Sequence, residues 1–216
     1  MPLSNETQPA ERIPVFFFLG APGSGKGTQS KLIQNHLRFL HVSSGDLLRR
    51  AIDEGDPAAL AARELIDRGE LVPDEMIITM LREHLRKCLE SSHDVRGIII
   101  DGFPRTVNQA ENLESLLESL NLQFMGMILL QVPEQTLVDR LRSRAQEGEN
   151  RSDDQEHVIR HRLQVWREKT HPLEEFFAQR NQLFTVDGLG DTEEVFQRLL
   201  PILQMSHESV RPVPGQ

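Results

Sequence analysis

The sequence predicts an α/β fold in which a five-stranded parallel sheet is covered by helices on both faces. Two patterns carry that expectation. Short apolar runs alternate with amphipathic stretches along most of the chain, the order of strand–helix–strand units. The run Gly97-Ile98-Ile99-Ile100 is apolar on both faces, as a central parallel strand requires.

The first junction says most about chemistry. An apolar run, Val15-Phe16-Phe17-Phe18-Leu19, leads into Gly20-Ala21-Pro22-Gly23-Ser24-Gly25-Lys26-Gly27-Thr28, and a helical pattern over 29–37 follows. Strand, glycine loop and helix are the setting of a phosphate-binding loop. Glycines let the backbone wrap closely around an anion. Loop N–H groups and the helix N-terminus point at it, and Lys26 adds a mobile positive charge. One departure from Gly-x-x-x-x-Gly-Lys-Ser/Thr stands out: Gly27 occupies the hydroxyl position, and Thr28 comes one residue later.

The remaining elements follow in order. Phe39-Leu40-His41-Val42 reads as a strand, and Ser43-Ser44-Gly45-Asp46 opens a helix over 47–54 with serine as cap. Pro57 starts a helix that Gly69 stops. Pro73 starts another, with Ile77, Leu81, Leu85 and Cys88 as its apolar stripe. After the strand ending at Asp101, Thr106 caps a helix whose core face is Val107, Ala110, Leu113, Leu117 and Leu120. A strand over 127–132 and a helix from Pro133 come next, then a surface loop over 145–151. Ser152-x-x-Gln155 is a capping-box pattern for a long helix, interrupted at His171-Pro172. Trp166, Phe176 and Phe177 read as core residues. A strand over 183–186 and a helix capped by Asp191 or Thr192 close the chain. In such a sheet, ligands sit beyond the carboxyl ends of the strands, where the glycine loop, Asp101 and Asp187 fall.

With 216 residues, one folding unit over 13–205 is the simplest expectation, with flexible tails at 1–12 and 206–216. The net charge of −9 argues against a general nucleic-acid or anionic-membrane surface. An anionic substrate must then be met by a local cluster of arginines. Cys88 is the only cysteine, so no intrachain disulfide and no cysteine zinc site are expected. No apolar run approaches membrane-spanning length, and a cytoplasmic monomer is expected.

Asp101 ends an apolar strand, a position from which a carboxylate can hold nucleotide-bound Mg²⁺ directly or through water. Phosphoryl transfer also needs positive charge around the moving group, and the arginine fork binds phosphate oxygens in pairs. Four groups of arginines lie at motif ends: Arg49, Arg105, the pair Arg140 and Arg144, and the pair Arg151 and Arg162. Arg38, Arg63, Arg82 and Arg198 read as solvated helix-face residues.

Seven stretches now come together. They are the loop from Gly20, Ser43-Ser44-Gly45-Asp46-Leu47-Leu48-Arg49, Gly69-Glu70-Leu71-Val72-Pro73-Asp74-Glu75 and Ile100-Asp101-Gly102-Phe103-Pro104-Arg105-Thr106. Asp139 to Arg144, Arg151 to Asp154 and Arg160-His161-Arg162-Leu163 complete the set. In this order they resemble the adenylate kinases, within the nucleoside monophosphate kinases. The resemblance implies a P-loop NTPase-type three-layer fold with a helical NMP-binding flap over 43–72 and a short lid over 143–154. It implies reversible, Mg²⁺-dependent transfer from ATP to AMP, giving two ADP. It also accounts for Gly27, since the family's loop reads Gly-Lys-Gly-Thr.

Carried over residue by residue, Gly23, Ser24, Gly25, Lys26, Gly27 and Thr28 would hold the ATP phosphates. Arg140 would serve ATP near its base and Arg144 near its phosphates, and backbone near Gly190 would meet the adenine. Ser44, Arg49, Glu70, Leu71, Val72, Gly102, Phe103, Pro104, Arg105 and Gln109 would hold AMP. Arg151 and Arg162 would clamp the transferring group. The glutamine amide of Gln109 matches the donor–acceptor edge of adenine. Ser143 stands where the family usually has glycine, and Ser44 where bacterial members often have threonine. The short lid implies no structural zinc.

The nearest alternative is a UMP/CMP kinase. Relatives of that kind tend to have alanine and asparagine at the positions of Ser44 and Gln109. A GTPase-type switch would need an Asn-Lys-x-Asp motif, which the chain lacks. A non-catalytic nucleotide-binding module would show a broken lysine or aspartate, whereas Lys26 and Asp101 are intact.

Overall fold

A computed structural model describes residues 12–91, 94–146 and 155–205. Five strands form one parallel sheet: β1 (Ile13–Leu19), β2 (Phe39–Ser43), β3 (Gly97–Asp101), β4 (Leu122–Gln131) and β5 (Leu183–Asp187). Their order across the sheet is β2-β3-β1-β4-β5. The register brings the strand ends level. Asp101 stands opposite Phe18 and Ser43, and Gln131 opposite Asp187. The expected α/β fold with five parallel strands is the one found.

Alternation along β1 divides the core. Val15, Phe17 and Leu19 face a layer built from α2 (Ser44–Asp53), α3 (Pro57–Asp67), α4 (Asp74–Ser91), α5 (Val107–Glu111), α6 (Leu113–Ser119) and α9 (Pro172–Ala178). Phe16 and Phe18 face α1 (Lys26–Leu37) and α10 (Thr192–Leu203) on the other side. A smaller cluster of Ala21, Leu137, Leu141, Ile159 and Leu163 ties α7 (Glu134–Gln146) and α8 (Glu156–Val165) to the glycine loop. With both faces covered, β1 tolerates three consecutive phenylalanines.

Four of the expected helix starts carry a side-chain cap. The Ser43 hydroxyl accepts from Asp46 N–H at 3.3 Å, and Asp56 accepts from Ala59 N–H at 2.9 Å just before Pro57. Thr106 accepts from Gln109 N–H at 3.2 Å, and Asp191 and Glu194 form a reciprocal capping box. Pro73 precedes α4 rather than lying in it. Cys88 is half-buried, with Sγ 3.4 Å from His84 Nε2.

Several boundaries differ from the sequence pattern. β4 starts at Leu122 instead of 127. Its pairing with β1 shifts between Val15 and Phe16, where Met125 bulges out and Gly126 takes φ 154°. A bulge breaks the alternation on which a strand is recognised. The helix after Thr106 breaks at Asn112 into α5 and α6. α7 continues to Gln146, past the expected start of the loop. The long helix begins at Glu156 with Gln155 as an N-cap that makes no side-chain bond, while Ser152 lies outside the described residues. It then passes into a π-helical turn, Trp166–Thr170, before α9 begins at Pro172.

Phe17 has no exposed surface, and its ring lies 6.4 Å from Phe103 and 5.8 Å from Phe124. Phe17→Ala should lower stability by about 3–5 kcal/mol through lost burial and a residual cavity. Urea denaturation of wild type and variant measures this directly.

Candidate active site

A cleft of about 1060 Å³ opens at the carboxyl ends of the strands. Its floor is the glycine loop. Gly25 caps α1 at φ 98°, in the left-handed region, with no side chain to spare for capping. Gly23 takes φ 86°, and a Cβ there would stand 2.8 Å from the carbonyl oxygen of Leu137. Only a glycine lets α7 rest on the loop this closely. Lys26 Nζ donates to Gly20 O at 2.8 Å, Ala21 O at 3.0 Å and Ser24 Oγ at 3.2 Å. All three ammonium donors are thus engaged with the loop, so contact with a phosphate must exchange at least one of them. A Cβ at Gly27 would meet nothing within 4 Å.

One wall follows from β3. Asp101 lines the cleft, and Gly102 turns the chain at φ 84°. A Cβ on Gly102 would reach within 2.5 Å of Ser44 Oγ, so this glycine lets the start of α2 close against β3. Arg105 is then fixed at three points. Its Nε donates to Gly102 O at 2.8 Å, and its backbone N–H donates to Gln109 Oε1 at 2.7 Å. Its carbonyl accepts from Thr170 Oγ1 at 3.0 Å. Gln109 and Thr170 are both buried, and both line the cleft.

The 43–72 segment forms the adjoining wall. Arg49 pairs with Asp46 at 2.5 Å, and Glu70 pairs with Arg68 at 3.1 Å. Gly69, at φ 76°, leaves room for the stem of Arg162, whose Cγ would be 2.6 Å from a Cβ placed there. α8 therefore reaches this segment directly.

On the opposite side, Arg140 donates to Gly188 O at 3.0 Å and to Ser24 O at 3.5 Å. It spans the glycine loop and the β5–α10 loop. Arg198 steadies that second loop by donating to Asp187 O at 2.9 Å and Leu189 O at 2.5 Å. Arg198 is exposed, as its sequence position predicts, but its guanidinium is tied to this loop. Arg38 is exposed and pairs with Asp94, whereas Arg63 and Arg82 are exposed as expected.

Of the site residues expected from the sequence and described here, all line the cleft except Phe103. Phe103 is buried against Phe17 beneath the wall. Its ring supports the turn that Gly102 and Pro104 expose. Arg151 lies outside the described residues. Lining residues that were not expected include His41, Trp166 and Thr170. Trp166 packs against the Leu137 and Leu163 cluster, as a core residue would, and also faces the cleft. Nothing local marks Thr170, because its partner is Arg105, far away in sequence.

The electrostatics agree with the geometry. Burial pulls the Lys26 ammonium down to about 8. Asp101 opposes that shift, and Arg105, Arg162 and Arg144 add to it. Arginines from β3–α5, α7 and α8 thus act on one lysine. Such a site is arranged for a ligand of high negative charge.

The family model for adenylate kinase matches residues 18–182. The chain belongs to the adenylate kinase family. Among its relatives is the adenylate kinase of Thermus thermophilus, 44% identical over 182 residues, covering 84% of this chain and 92% of the relative. That of Deinococcus deserti is 41% identical over 195 residues, covering 88% and 96%. That of Trichodesmium erythraeum is 44% identical over 183 residues, covering 82% and 91%. The matched region contains the glycine loop, the Asp101 turn and all four arginine groups.

The Lys26 value makes pH a probe of the family's loop in this chain. Above about pH 8 the free enzyme loses the ammonium charge. The kcat/KM for ATP should fall there with an apparent pKa near that value, since this parameter reports the free enzyme. At saturating ATP the limb should move to higher pH, because a bound polyanion favours the charged lysine. Lys26→Arg should remove the limb, since guanidinium stays protonated throughout. A pH profile of kcat/KM and kcat in both proteins checks this.

Proposed function

We propose that the cleft carries out the family reaction: reversible transfer of the terminal phosphoryl group of ATP to AMP, giving two ADP. The bond between the γ-phosphorus and the β–γ bridging oxygen breaks as a bond to an AMP phosphate oxygen forms. Members of the family generally use Mg²⁺ with ATP. The observation that carries the reading is the convergence of Arg105, Arg144 and Arg162 on Lys26, with Asp101 beside them. Phosphoryl transfer requires little covalent help from protein and much positioning and positive charge.

In this reading residues 23–28 hold the ATP phosphates. Arg140 positions the donor nucleotide through the two loops it bridges, and Gly190 backbone meets its base. Ser44, Arg49 and residues 70–72 enclose AMP. Arg105 binds the AMP phosphate from the turn that Gly102 and Pro104 shape, and Gln109 meets the adenine. Arg144, Arg162 and Arg151 surround the moving phosphoryl group. Asp101 suits Mg²⁺, a hard cation usually held by one or two carboxylates together with nucleotide phosphates. When bound, the ion would neutralise phosphate charge. Asp101 would hold it directly or through water.

The UMP/CMP alternative is not favoured, since the relatives are named adenylate kinases. We also propose that the chain works as a cytoplasmic monomer. One chain supplies every described group of the cleft, and Cys88 is a free thiol, which suits a reducing compartment. No described helix is long and apolar enough to cross a membrane.

Lys26→Ala and Arg105→Ala should each lower turnover by about a hundredfold or more. Circular dichroism and thermal melting should show both variants folded. Near-normal turnover in either would sink the assignment.

The two-site reading also treats 43–72 and 143–154 as separate covers that exclude water from the phosphoryl group. Two adenosines joined by five phosphates should bind far more tightly than ATP or AMP alone. Titration calorimetry measures the gain. No gain over the better mononucleotide would count against two sites in one cleft.

A further inference from the structure

We propose that Asp74, which does not itself line the cleft, sets acceptor-base specificity by fixing which way the Gln109 amide faces. The inference rests on the reading that Gln109 meets the acceptor base.

Gln109 is 3% exposed and lines the cleft. Its Oε1 accepts from the Arg105 backbone N–H at 2.7 Å, and its Nε2 donates to Asp74 Oδ1 at 2.5 Å. A backbone N–H can only donate, and a carboxylate can only accept. The amide therefore has one orientation. Turning it over would set NH₂ against N–H and carbonyl against carboxylate, with both buried groups mispaired. Asp74 is itself held, since its Oδ2 accepts from Asn108 Nδ2 at 2.8 Å. It sits in the first turn of α4, a favourable place for a carboxylate. Two neighbouring residues of α5 and one of α4 thus form a short relay behind the cleft wall.

A primary amide has two donor and two acceptor positions. Asp74 and Arg105 use one of each, which leaves one donor and one acceptor for a ligand. Adenine presents an amine donor beside the N1 acceptor, which matches. Hypoxanthine has nearly the same outline and the reverse order, a carbonyl acceptor beside an N1–H donor. An amide free to turn would accept either base. An amide locked by Asp74 together with the Arg105 N–H accepts only the aminopurine order. Cytosine presents the same order as adenine, so ring size rather than polarity must separate CMP from AMP.

The test compares kcat/KM for AMP and for inosine monophosphate, together with KM for ATP, in four proteins: wild type, Asp74→Asn, Asn108→Ala and Gln109→Leu. Asparagine can face Gln109 with either a donor or an acceptor. Asp74→Asn should therefore lower the AMP-over-IMP ratio by about tenfold, the worth of one hydrogen bond to a charged group, with KM for ATP little changed. Asn108→Ala loosens the carboxylate from an exposed position and should shift the ratio the same way by less. It keeps the test intact should Asp74→Asn fold poorly. A purely structural role would lower both acceptor activities in step and leave the ratio where it is. If Gln109→Leu collapses the ratio while Asp74→Asn and Asn108→Ala leave it unchanged, the role of Asp74 is overturned and the reading of Gln109 survives. If Gln109→Leu leaves the ratio unchanged, the reading of Gln109 fails and takes the inference with it.

Discussion

Like charges held close together are the constraint on which this structure turns. Lys26 loses part of its affinity for a proton because burial and three arginines disfavour its charge. Asp101 offsets part of that effect, and the scaffold enforces the rest of the arrangement. The sheet does so from below. β1 is buried on both faces and ends at the glycine loop, and its register with β3 sets Asp101 beside that loop. The arginines arrive from three directions, on the β3–α5 turn, α7 and α8. No single element could carry them all at this spacing.

The enforcing contacts are mostly backbone ones. Arg105 is held through its N–H, its carbonyl and its Nε before any ligand contact. Arg140 is tied to two loop carbonyls. Glycines at positions 23, 69 and 102 allow α7, Arg162 and Ser44 to approach where a Cβ would collide. Preorganised charge of this kind costs little reorganisation during reaction, which is where most electrostatic catalysis originates. It also reconciles a net charge of −9 with an anionic substrate. Among the described residues, Lys26, Arg49, Arg105, Arg140, Arg144 and Arg162 meet in one cleft.

The π-helical turn at Trp166–Thr170 shows how local irregularity serves the site. It directs Thr170 inward to the Arg105 carbonyl while Trp166 stays packed on the α7–α8 cluster. π-Helical turns inside helices recur at functional sites. Here the turn links the arm that carries Arg162 to the wall that carries Arg105.

The sequence by itself determined the parallel α/β class, the glycine loop, the caps at Ser43, Thr106 and Asp191, and the candidate roles of Lys26, Asp101 and the arginines of the cleft. Those features are local: a glycine run after a strand, a hydroxyl before a helix, an aspartate ending an apolar run. Their signals lie within a few residues of one another. Tertiary structure alone decided that Phe103 lies beneath the wall rather than in it, that Arg198 braces the β5–α10 loop, and that Thr170 and Asp74 position Arg105 and Gln109. It also decided the early start of β4, where a bulge at Met125 breaks the alternation. Each of these depends on partners distant in the chain: Phe17 beside Phe103, Arg105 beside Thr170, Asp74 beside Gln109. Hydrogen bonds between such partners form only once the layers pack, so no spacing within either segment could have announced them.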